Sequence, residues 1–343
     1  LEKFMKLALK LAKKGAGRVS PNPLVGAVIV KDGKIISTGY HKRYGDFHAE
    51  RSAILNAKTS LEGSTLFVNL EPCCHHGKTP PCTDLIIESK ISQVYVSILD
   101  PNPLVNGKGV DILRKNGIKV HVGLLEREAS YLNRVFIKYI TKKTPYVALK
   151  AAMTLDGFIC DNLGKSKWIT KNNFNISHNL RNFFTAIMVG AKTVLKDNPQ
   201  LTCRNGGRNP IRIILDYEGK LAGKNFNVFD NHSRTIVFSS RCEKYNGVEC
   251  YPETRPEDIL ERLYSLNIDS VLIEGGASVL SQFYDFSDEL HLFYAPKVFG
   301  RGLSAFSEFE KYIDEEFDLK IRKIRRLKNE FYLEVIKNVY GNY

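Results

Sequence analysis

The 343-residue sequence predicts an α/β protein of two domains, on three observations. Apolar runs of strand length alternate with segments of helical periodicity through both halves. The pattern breaks at Lys142-Lys143-Thr144-Pro145, where a helical segment ends, the charge balance changes and a new apolar run begins. Metal-capable side chains crowd into one stretch of the first half and nowhere else. Residues 1–144 are therefore expected to form a three-layer α/β/α domain. Residues 145–343 are expected to form a second α/β domain with its own sheet.

Phe4 to Ala12 carries apolar residues at helical spacing with lysines opposite, an amphipathic opening helix that stops at Gly15-Ala16-Gly17. Ser20-Pro21-Asn22-Pro23 is a stiff turn, and Leu24 to Val30 is a continuous apolar run suited to a buried strand. Lys31-Asp32-Gly33-Lys34 is a hairpin turn, so Ile35 to Tyr40 pairs back antiparallel. A helix is expected from His48, a strand over Ser64 to Leu70, and a helix from Thr83 to Lys90 opened by Cys82. Strand 93–99, helix 109–116, strand 119–122 and one closing helix over 126–139 complete the domain.

Within that frame, His48-Ala49-Glu50 and Glu71-Pro72-Cys73-Cys74-His75-His76-Gly77-Lys78-Thr79-Pro80-Pro81-Cys82 hold the chemistry. One histidine and two cysteines suit Zn²⁺ and leave a fourth tetrahedral position open for water, the plan of a catalytic site. Glu50, two residues from the first ligand and in a helix's first turn, is placed to move protons without binding the metal. A hydrolytic deaminase needs this arrangement: metal-activated water attacks an amino-bearing ring carbon while a glutamate shuttles protons. The spacing is unusual, because the common pattern is Pro-Cys-x-x-Cys and here Cys73 and Cys82 lie nine positions apart. Cys74 and His76 compete with Cys82 for the third ligand position.

Bulk properties narrow the classes. With 43% apolar and 25% charged residues the chain is ordinary for a globular protein, and no apolar run reaches membrane-span length. No secretory segment precedes the first helix, and the chain opens on Leu1 rather than Met, so an initiator or a few residues are expected ahead of it. A cytoplasmic location is expected. Seven cysteines in a chain this long do not form a disulfide framework; Cys160, Cys203, Cys242 and Cys250 are scattered and read as plain thiols. Residues 1–144 hold 23 basic and 12 acidic side chains, a net of +11, against +2 for the rest. Such a surface suits nucleic acid, a phosphorylated small substrate, or mere solvation. The Cys73–Cys82 loop has no aromatic side chain to stack a base, which disfavours a tRNA- or ssDNA-type zinc deaminase, the alternative reading.

The second half continues with strands at 146–153, 186–190, 210–216, 235–240 and 270–276, alternating with helices at 173–184, 256–266 and 277–283. The basic run Lys320 to Lys328 fits an edge strand, and Phe331 to Val335 the last strand. Glu274-Gly275-Gly276-Ala277-Ser278 joins a strand to a helix start, where backbone approach and free N–H groups suit a dinucleotide pyrophosphate. No Gly-x-Gly-x-x-Gly is present, so no Rossmann fingerprint is claimed.

His48-Ala49-Glu50, Glu-Pro-Cys-x-His-His-Gly-Lys-Thr-Pro-Pro-Cys, the Pro21-Asn22-Pro23-x-Val25-Gly26 turn and Asp100-Pro101-Asn102-Pro103 together resemble the deaminase domain of the bifunctional riboflavin-biosynthesis deaminase/reductase family. The resemblance implies a cytidine-deaminase-like fold, one zinc on His48, Cys73 and Cys82, and Glu50 as the catalytic proton carrier. Cys74 departs from the family, which more often has serine there. Asn22, His41, His75 and Lys78 are expected to bind the substrate, Lys78 as a point charge for its phosphate.

Thr154-Leu155-Asp156-Gly157, Ser166 to Thr170, Leu180-Arg181, the Gly190 to Thr202 segment, Arg204 and Glu-Gly-Gly resemble the reductase half of the same family. That half is similar to dihydrofolate reductase in fold and uses NADPH. Met153, Trp168, Thr193, Asp197 and the turn Gly276, Ala277, Ser278, Val279, Leu280 and Ser281 fall where the family contacts the cofactor. Ser166, Arg181, Leu201, Arg204 and Glu274 fall where it holds the ribose-phosphate substrate. The resemblance implies a small phosphorylated pyrimidine as substrate, no nucleic acid or membrane partner, and a homo-oligomer.

Overall fold

The computed structural model describes residues 1–75, 80–103, 105–165, 174–307 and 319–337. The chain divides into two compact units, Leu1–Lys143 and Thr144–Asn342.

The first unit runs α1 (Glu2–Ala12), β1 (Gly26–Lys31), β2 (Lys34–Tyr40), α2 (Ala49–Leu55), β3 (Thr65–Leu70), α3 (Cys82–Glu88), β4 (Gln93–Ile98), α4 (Lys108–Lys115), β5 (Lys119–Val122), α5 (Glu126–Leu132) and α6 (Arg134–Lys142). Its sheet has the order β2-β1-β3-β4-β5, with β1 antiparallel to both neighbours and β3, β4 and β5 parallel. Asp32 and Gly33 both take positive φ (50° and 72°), the geometry of a tight hairpin, and place β2 as the spacing predicts.

Gly26 pairs with Tyr40 and Ala27 with Gly39, so the two glycines face opposite sides of the sheet. At Gly26 an added Cβ would lie 2.1 Å from the Ala8 carbonyl oxygen of α1. At Gly39 it would lie 2.4 Å from the Ala49 oxygen and the Ala53 nitrogen of α2. Helices thus press on both faces, giving three layers, and the glycines set how close α2 comes to the sheet. Phe4, Met5 and Ala8 of α1 bury against Val28, Val30 and Phe67.

The single closing helix expected over residues 126–139 is two helices, broken at Asn133. The break has a cause. Asn133 is buried, its Oδ1 accepts the Leu24 N–H at 2.8 Å and its Nδ2 donates to the Leu24 carbonyl at 3.1 Å. Asn69 of β3 does the same work from the other side, accepting from Gly26 N–H and donating to the Leu24 carbonyl, both at 2.8 Å. Two buried amides therefore hold the turn that leads into β1.

The second unit runs β6 (Tyr146–Thr154), β7 (Phe158–Cys160), α7 (Phe174–Phe183), β8 (Ala186–Gly190), α8 (Ala191–Asp197), β9 (Ile211–Leu215), β10 (Thr235–Phe238), β11 (Glu249–Tyr251), α9 (Pro256–Ser265), β12 (Ser270–Ile273), α10 (Ala277–Gln282), β13 (Glu289–Ala295), β14 (Leu303–Ser304), β15 (Leu319–Leu327) and β16 (Glu330–Lys337). A nine-stranded sheet has the order β11-β10-β9-β8-β12-β6-β13-β16-β15; β14 and β7 pair separately. From β11 to β13 every pairing is parallel, and β16 and β15 add antiparallel. Alternation sends Met188, Ile213 and Leu215 to one hydrophobic core and Ile187, Val189 and Ile214 to the other. The basic strand β15 is the sheet edge, as its composition predicts.

Four strands, β7, β11, β13 and β14, were not anticipated from the pattern. Three of them have four residues or fewer and two sheet partners at most, too short for periodicity to register. β13 alternates charged and apolar residues, but its Glu289 and His291 are buried rather than exposed. Glu289 accepts from Tyr146 Oη at 3.0 Å, and His291 joins Glu289 to Tyr332, so burial is met by hydrogen bonds rather than by apolar side chains.

The expectation that Cys242 and Cys250 are plain thiols is corrected: they form a disulfide. The short edge strand β11 turns back beside β10 and brings the two Cα atoms to 5.5 Å, within bridging range. Nothing in their spacing marks them apart from the other scattered cysteines.

Candidate metal centre and reductase cavity

His48 is the N-cap of α2, and Glu50 follows in its first turn. Pro72 and Cys73 follow the C-terminal end of β3, and Cys82 opens α3. These positions converge. The ligand-capable atoms of His48, Cys73 and Cys82 lie within 4.8 Å of one another. His48 Nδ1 is 3.4 Å from Cys73 Sγ and 3.5 Å from Cys82 Sγ. A tetrahedral zinc with ordinary Zn–N and Zn–S bonds separates its nitrogen and sulfur ligands by about 3.6 Å. The donor set therefore fits a zinc ion in both chemistry and spacing, and three donors leave one position for water.

Electrostatics agrees. Cys73 is pushed well below the usual thiol range, because Cys82 and the His48 ring both hydrogen-bond its sulfur. Cys82, buried and sharing a proton with Cys73, is pushed up. His48 is raised to about 8, first by its hydrogen bond to Cys73. Glu50 is 3% exposed, and burial raises its carboxyl to about 7, close to the pH at which a proton carrier works best.

Asn22 and His41 meet beside this centre. The His41 Nδ1–H donates to the Phe47 carbonyl at 3.1 Å, which leaves Nε2 to accept from Asn22 Nδ2 at 3.2 Å. Burial lowers the His41 pKa, so the ring is held neutral, 5.6 Å from the His48 ring. His75 is exposed. Lys78 and the competing ligand His76 lie outside the described residues. Cys74 is absent from the converging group and its thiol is pushed up by burial and by the Glu71 charge.

In the second unit a cavity of about 670 Å³ opens at the C-terminal ends of β6, β8, β9 and β12. Thr193, Asp197, Glu274 and the Gly276–Leu280 turn line it, so the structure brings together residues expected to meet the cofactor and one, Glu274, expected to meet the substrate. The close fit of the turn depends on glycine: a Cβ at Gly275 would lie 2.7 Å from Val279 Cβ, and one at Gly190 2.9 Å from Val279 Cγ2. At Gly276 a Cβ would meet nothing within 4 Å, so that backbone faces open space. An elongated ligand that needs close backbone approach fits these surroundings. Met153 and Ser281 are not among the lining residues. Met153 is packed in the sheet's core and Ser281 is buried in α10. Trp168 and Ser166 lie outside the described residues.

Arg181 and Glu274 form a bidentate pair, Nε to Oε1 and Nη2 to Oε2, each at 2.9 Å, and Arg181 Nη1 donates to the Thr202 carbonyl at 3.1 Å. Burial opposes the Glu274 charge, but Arg181 and then Lys150 outweigh it and hold the carboxyl down at about 2. The Arg181 fork is thus committed largely within the domain. Leu201 is buried with a left-handed backbone (φ 54°), and Arg204 reaches Gln200 Oε1 at 3.3 Å. The sequence reading missed Lys150, Lys192 and Lys220, which also line the cavity. Lys150 sits in β6 with its Nζ 3.9 Å from Glu274 Oε2. Its signal was a lysine inside an otherwise apolar strand.

A half-buried His/Cys/Cys centre with a buried glutamate, joined to a unit with a cofactor-sized cavity, defines a two-activity enzyme: a zinc-type deaminase and a reductase. Comparison with known proteins agrees for both halves. Residues 1–98 match the cytidine and deoxycytidylate deaminase zinc-binding region, and residues 145–333 match the RibD C-terminal domain. The riboflavin biosynthesis protein RibD of Aquifex aeolicus is 44% identical, over 94% of this chain and 95% of its own. The crystal structure of a diaminohydroxyphosphoribosylaminopyrimidine deaminase/5-amino-6-(5-phosphoribosylamino)uracil reductase from Thermotoga maritima is 51% identical, with a TM-score of 0.95 and 98% of each chain covered. A RibD structure from Acinetobacter baumannii is 34% identical with a TM-score of 0.89 over 98% of each chain. The chain belongs to the RibD family. It is a bifunctional enzyme of riboflavin biosynthesis that deaminates and reduces, with a cytidine-deaminase-like first unit and a reductase second unit. The nucleic-acid deaminase alternative is not favoured, since the relatedness runs through both halves.

Proposed function

We propose that the first unit, residues 1–144, deaminates a diamino-ribosylamino-pyrimidinone 5′-phosphate and that the second, residues 145–343, reduces the ribosylamino side chain to ribitylamino with NADPH. The carrying observation is the convergence of His48, Cys73 and Cys82 beside the buried carboxyl of Glu50. His48, Cys73 and Cys82 would hold the zinc, which when bound would supply a water made nucleophilic at neutral pH. Glu50 takes a proton from the attacking water and delivers it to the departing amine, so that water and the amino carbon become carbonyl and ammonia. A carboxyl poised near 7 can do both. Asn22, oriented by the neutral His41, presents hydrogen-bonding groups to the pyrimidine, and His75 and Lys78 serve its ribose phosphate.

In the second unit the cavity accepts NADPH along the Gly276–Leu280 turn, with Thr193 and Asp197 around it, and Trp168 is assigned to the same cofactor on the family resemblance alone. Ser166, Leu201 and Arg204 hold the sugar phosphate, and the Arg181–Glu274 pair shapes its seat. A homo-oligomer acting in the cytoplasm completes the reading.

The test is direct. Incubated with the aminopyrimidine phosphate, the protein must release ammonia without NADPH and form the ribityl product only with it, as read by mass. Ammonia release that persists in Glu50→Ala would overturn the assigned mechanism. Failure of NADPH to bind saturably at micromolar concentration would overturn the reductase reading.

A further inference from the structure

Glu71, the residue before Pro72-Cys73, is 3% exposed yet touches neither the metal ligands nor a counter-charge within hydrogen-bond reach among the described residues. Its partners are backbone N–H groups of the segment between β4 and α4. Oε2 accepts from Asp100 at 3.0 Å and from Gly107 at 2.8 Å, and Oε1 accepts from Val110 at 3.0 Å. Gly107 is the N-cap of α4, with φ 88° and no side chain to cap the helix. Glu71 performs that capping from the residue that follows β3.

The contact is close on both sides. A Cβ at Gly109 would lie 2.2 Å from the Pro72 carbonyl oxygen and 3.2 Å from Glu71 Oε1. The first turn of α4 is therefore pressed on the peptide that leads into Cys73. Cys73 in turn is tied to Cys82: its carbonyl accepts the Thr83 N–H at 3.2 Å, and its sulfur the Cys82 N–H at 3.4 Å. The Asp100 side chain accepts the Asn102 N–H at 2.9 Å and so closes the Asp100–Asn102 turn, and Glu71 anchors that turn through the Asp100 N–H.

We propose that Glu71 is a positioning residue of the deaminase, whose carboxylate sets the Pro72–Cys73 peptide and the Asp100–Asn102 turn in one arrangement and so governs how firmly the centre holds its metal. The proposal rests on the reading of His48, Cys73 and Cys82 as ligands. Glutamine in place of Glu71 keeps the shape but offers one acceptor oxygen to three N–H donors on two sides. Supporting groups behind metal ligands are commonly worth about 10- to 100-fold in metal affinity or activity.

The experiment uses the full chain loaded with zinc and a chelating dye that reports metal release. Glu71→Gln is expected to release zinc about 10- to 100-fold faster, to lower deaminase kcat, and to shift the visible spectrum of the cobalt-substituted protein, with NADPH-dependent reduction unchanged. Gly109→Ala, which disturbs the same contact from the α4 side, must act in the same direction and serves if Glu71→Gln does not fold. Release, spectrum and kcat equal to the parent in either folded variant overturn the proposal. Cys73→Ser in the same assay must bind zinc less well than the parent. If it does not, the ligand assignment fails and the proposal with it.

Discussion

Glu50 and Glu274 are both buried carboxyls, and their surroundings drive them in opposite directions. Burial raises Glu50 to about 7 against the opposing charge of the His48 ring, whereas Arg181 and Lys150 hold Glu274 down at about 2. The first is suited to proton transfer, the second to a fixed charge. Replacing Glu50 by Gln should lower deaminase kcat about 10²- to 10⁴-fold while zinc content by atomic absorption and reductase activity stay at parent levels. For Glu274 the folded pKa lies below the unfolded one. Its stabilisation is therefore complete above the ordinary carboxylate range and is lost as pH falls from there through about 2. Acid denaturation of the second unit should show this loss between about pH 4.5 and 2, and Glu274→Gln should flatten that part of the profile. Because Arg181 would be left buried and unpaired, the same variant should cost about 3–5 kcal/mol in urea unfolding at neutral pH.

At the scale of elements, the site depends on how closely α2 lies on β2 and how the turn before β1 is held. Gly39 permits the first: any side chain there meets the backbone of Ala49 and Ala53, one residue from His48 and next to Glu50 in the helix. Gly39→Ala should therefore reduce deaminase kcat and zinc retention together, with the reductase reaction as the internal control. Asn133 and Asn69 support the second. Asn133→Ala leaves the Leu24 N–H without its partner, while Asn69 still serves the Leu24 carbonyl, and should destabilise the first unit by about 1–3 kcal/mol, seen as a lower thermal transition. The asparagine pair also explains why the closing helix could not be read as two. Residues 126–139 keep helical periodicity across Asn133, and the break is imposed by a contact with residue 24, more than a hundred positions away. Hairpin β1–β2, by contrast, was legible, because Asp32-Gly33 carries its own turn geometry.

For the whole molecule, two compact units with separate cores should respond separately to their ligands. Chelation of zinc should abolish deamination and lower one thermal transition, leaving NADPH-dependent reduction in place. NADPH at a hundred times its Kd should stabilise only the other unit, by about 2.7 kcal/mol. Calorimetry with each additive alone distinguishes this from a single cooperative transition, which would overturn the prediction.

The sequence by itself determined the class, the two-unit plan and the stretch in which metal-capable side chains crowd, and the family resemblance added the expected ligand set and Glu50. Those signals are local: apolar runs at strand length, ligands at strand ends and helix starts, and a motif dense in rare side chains. Tertiary structure decided what depends on contacts that no local pattern encodes. The Arg181 fork meets Glu274 93 positions later, Cys242 meets Cys250 only because β11 folds back along β10, and β13 buries a Glu–His pair that alternation alone would place in solvent. Glu71 belongs to the same group. Its three N–H partners lie 29 to 39 residues downstream, and no pattern within the zinc motif shows that its carboxylate faces them rather than the metal. Hydrogen-bond satisfaction of buried polar groups is a property of the packed molecule, and periodicity in a single chain cannot express it.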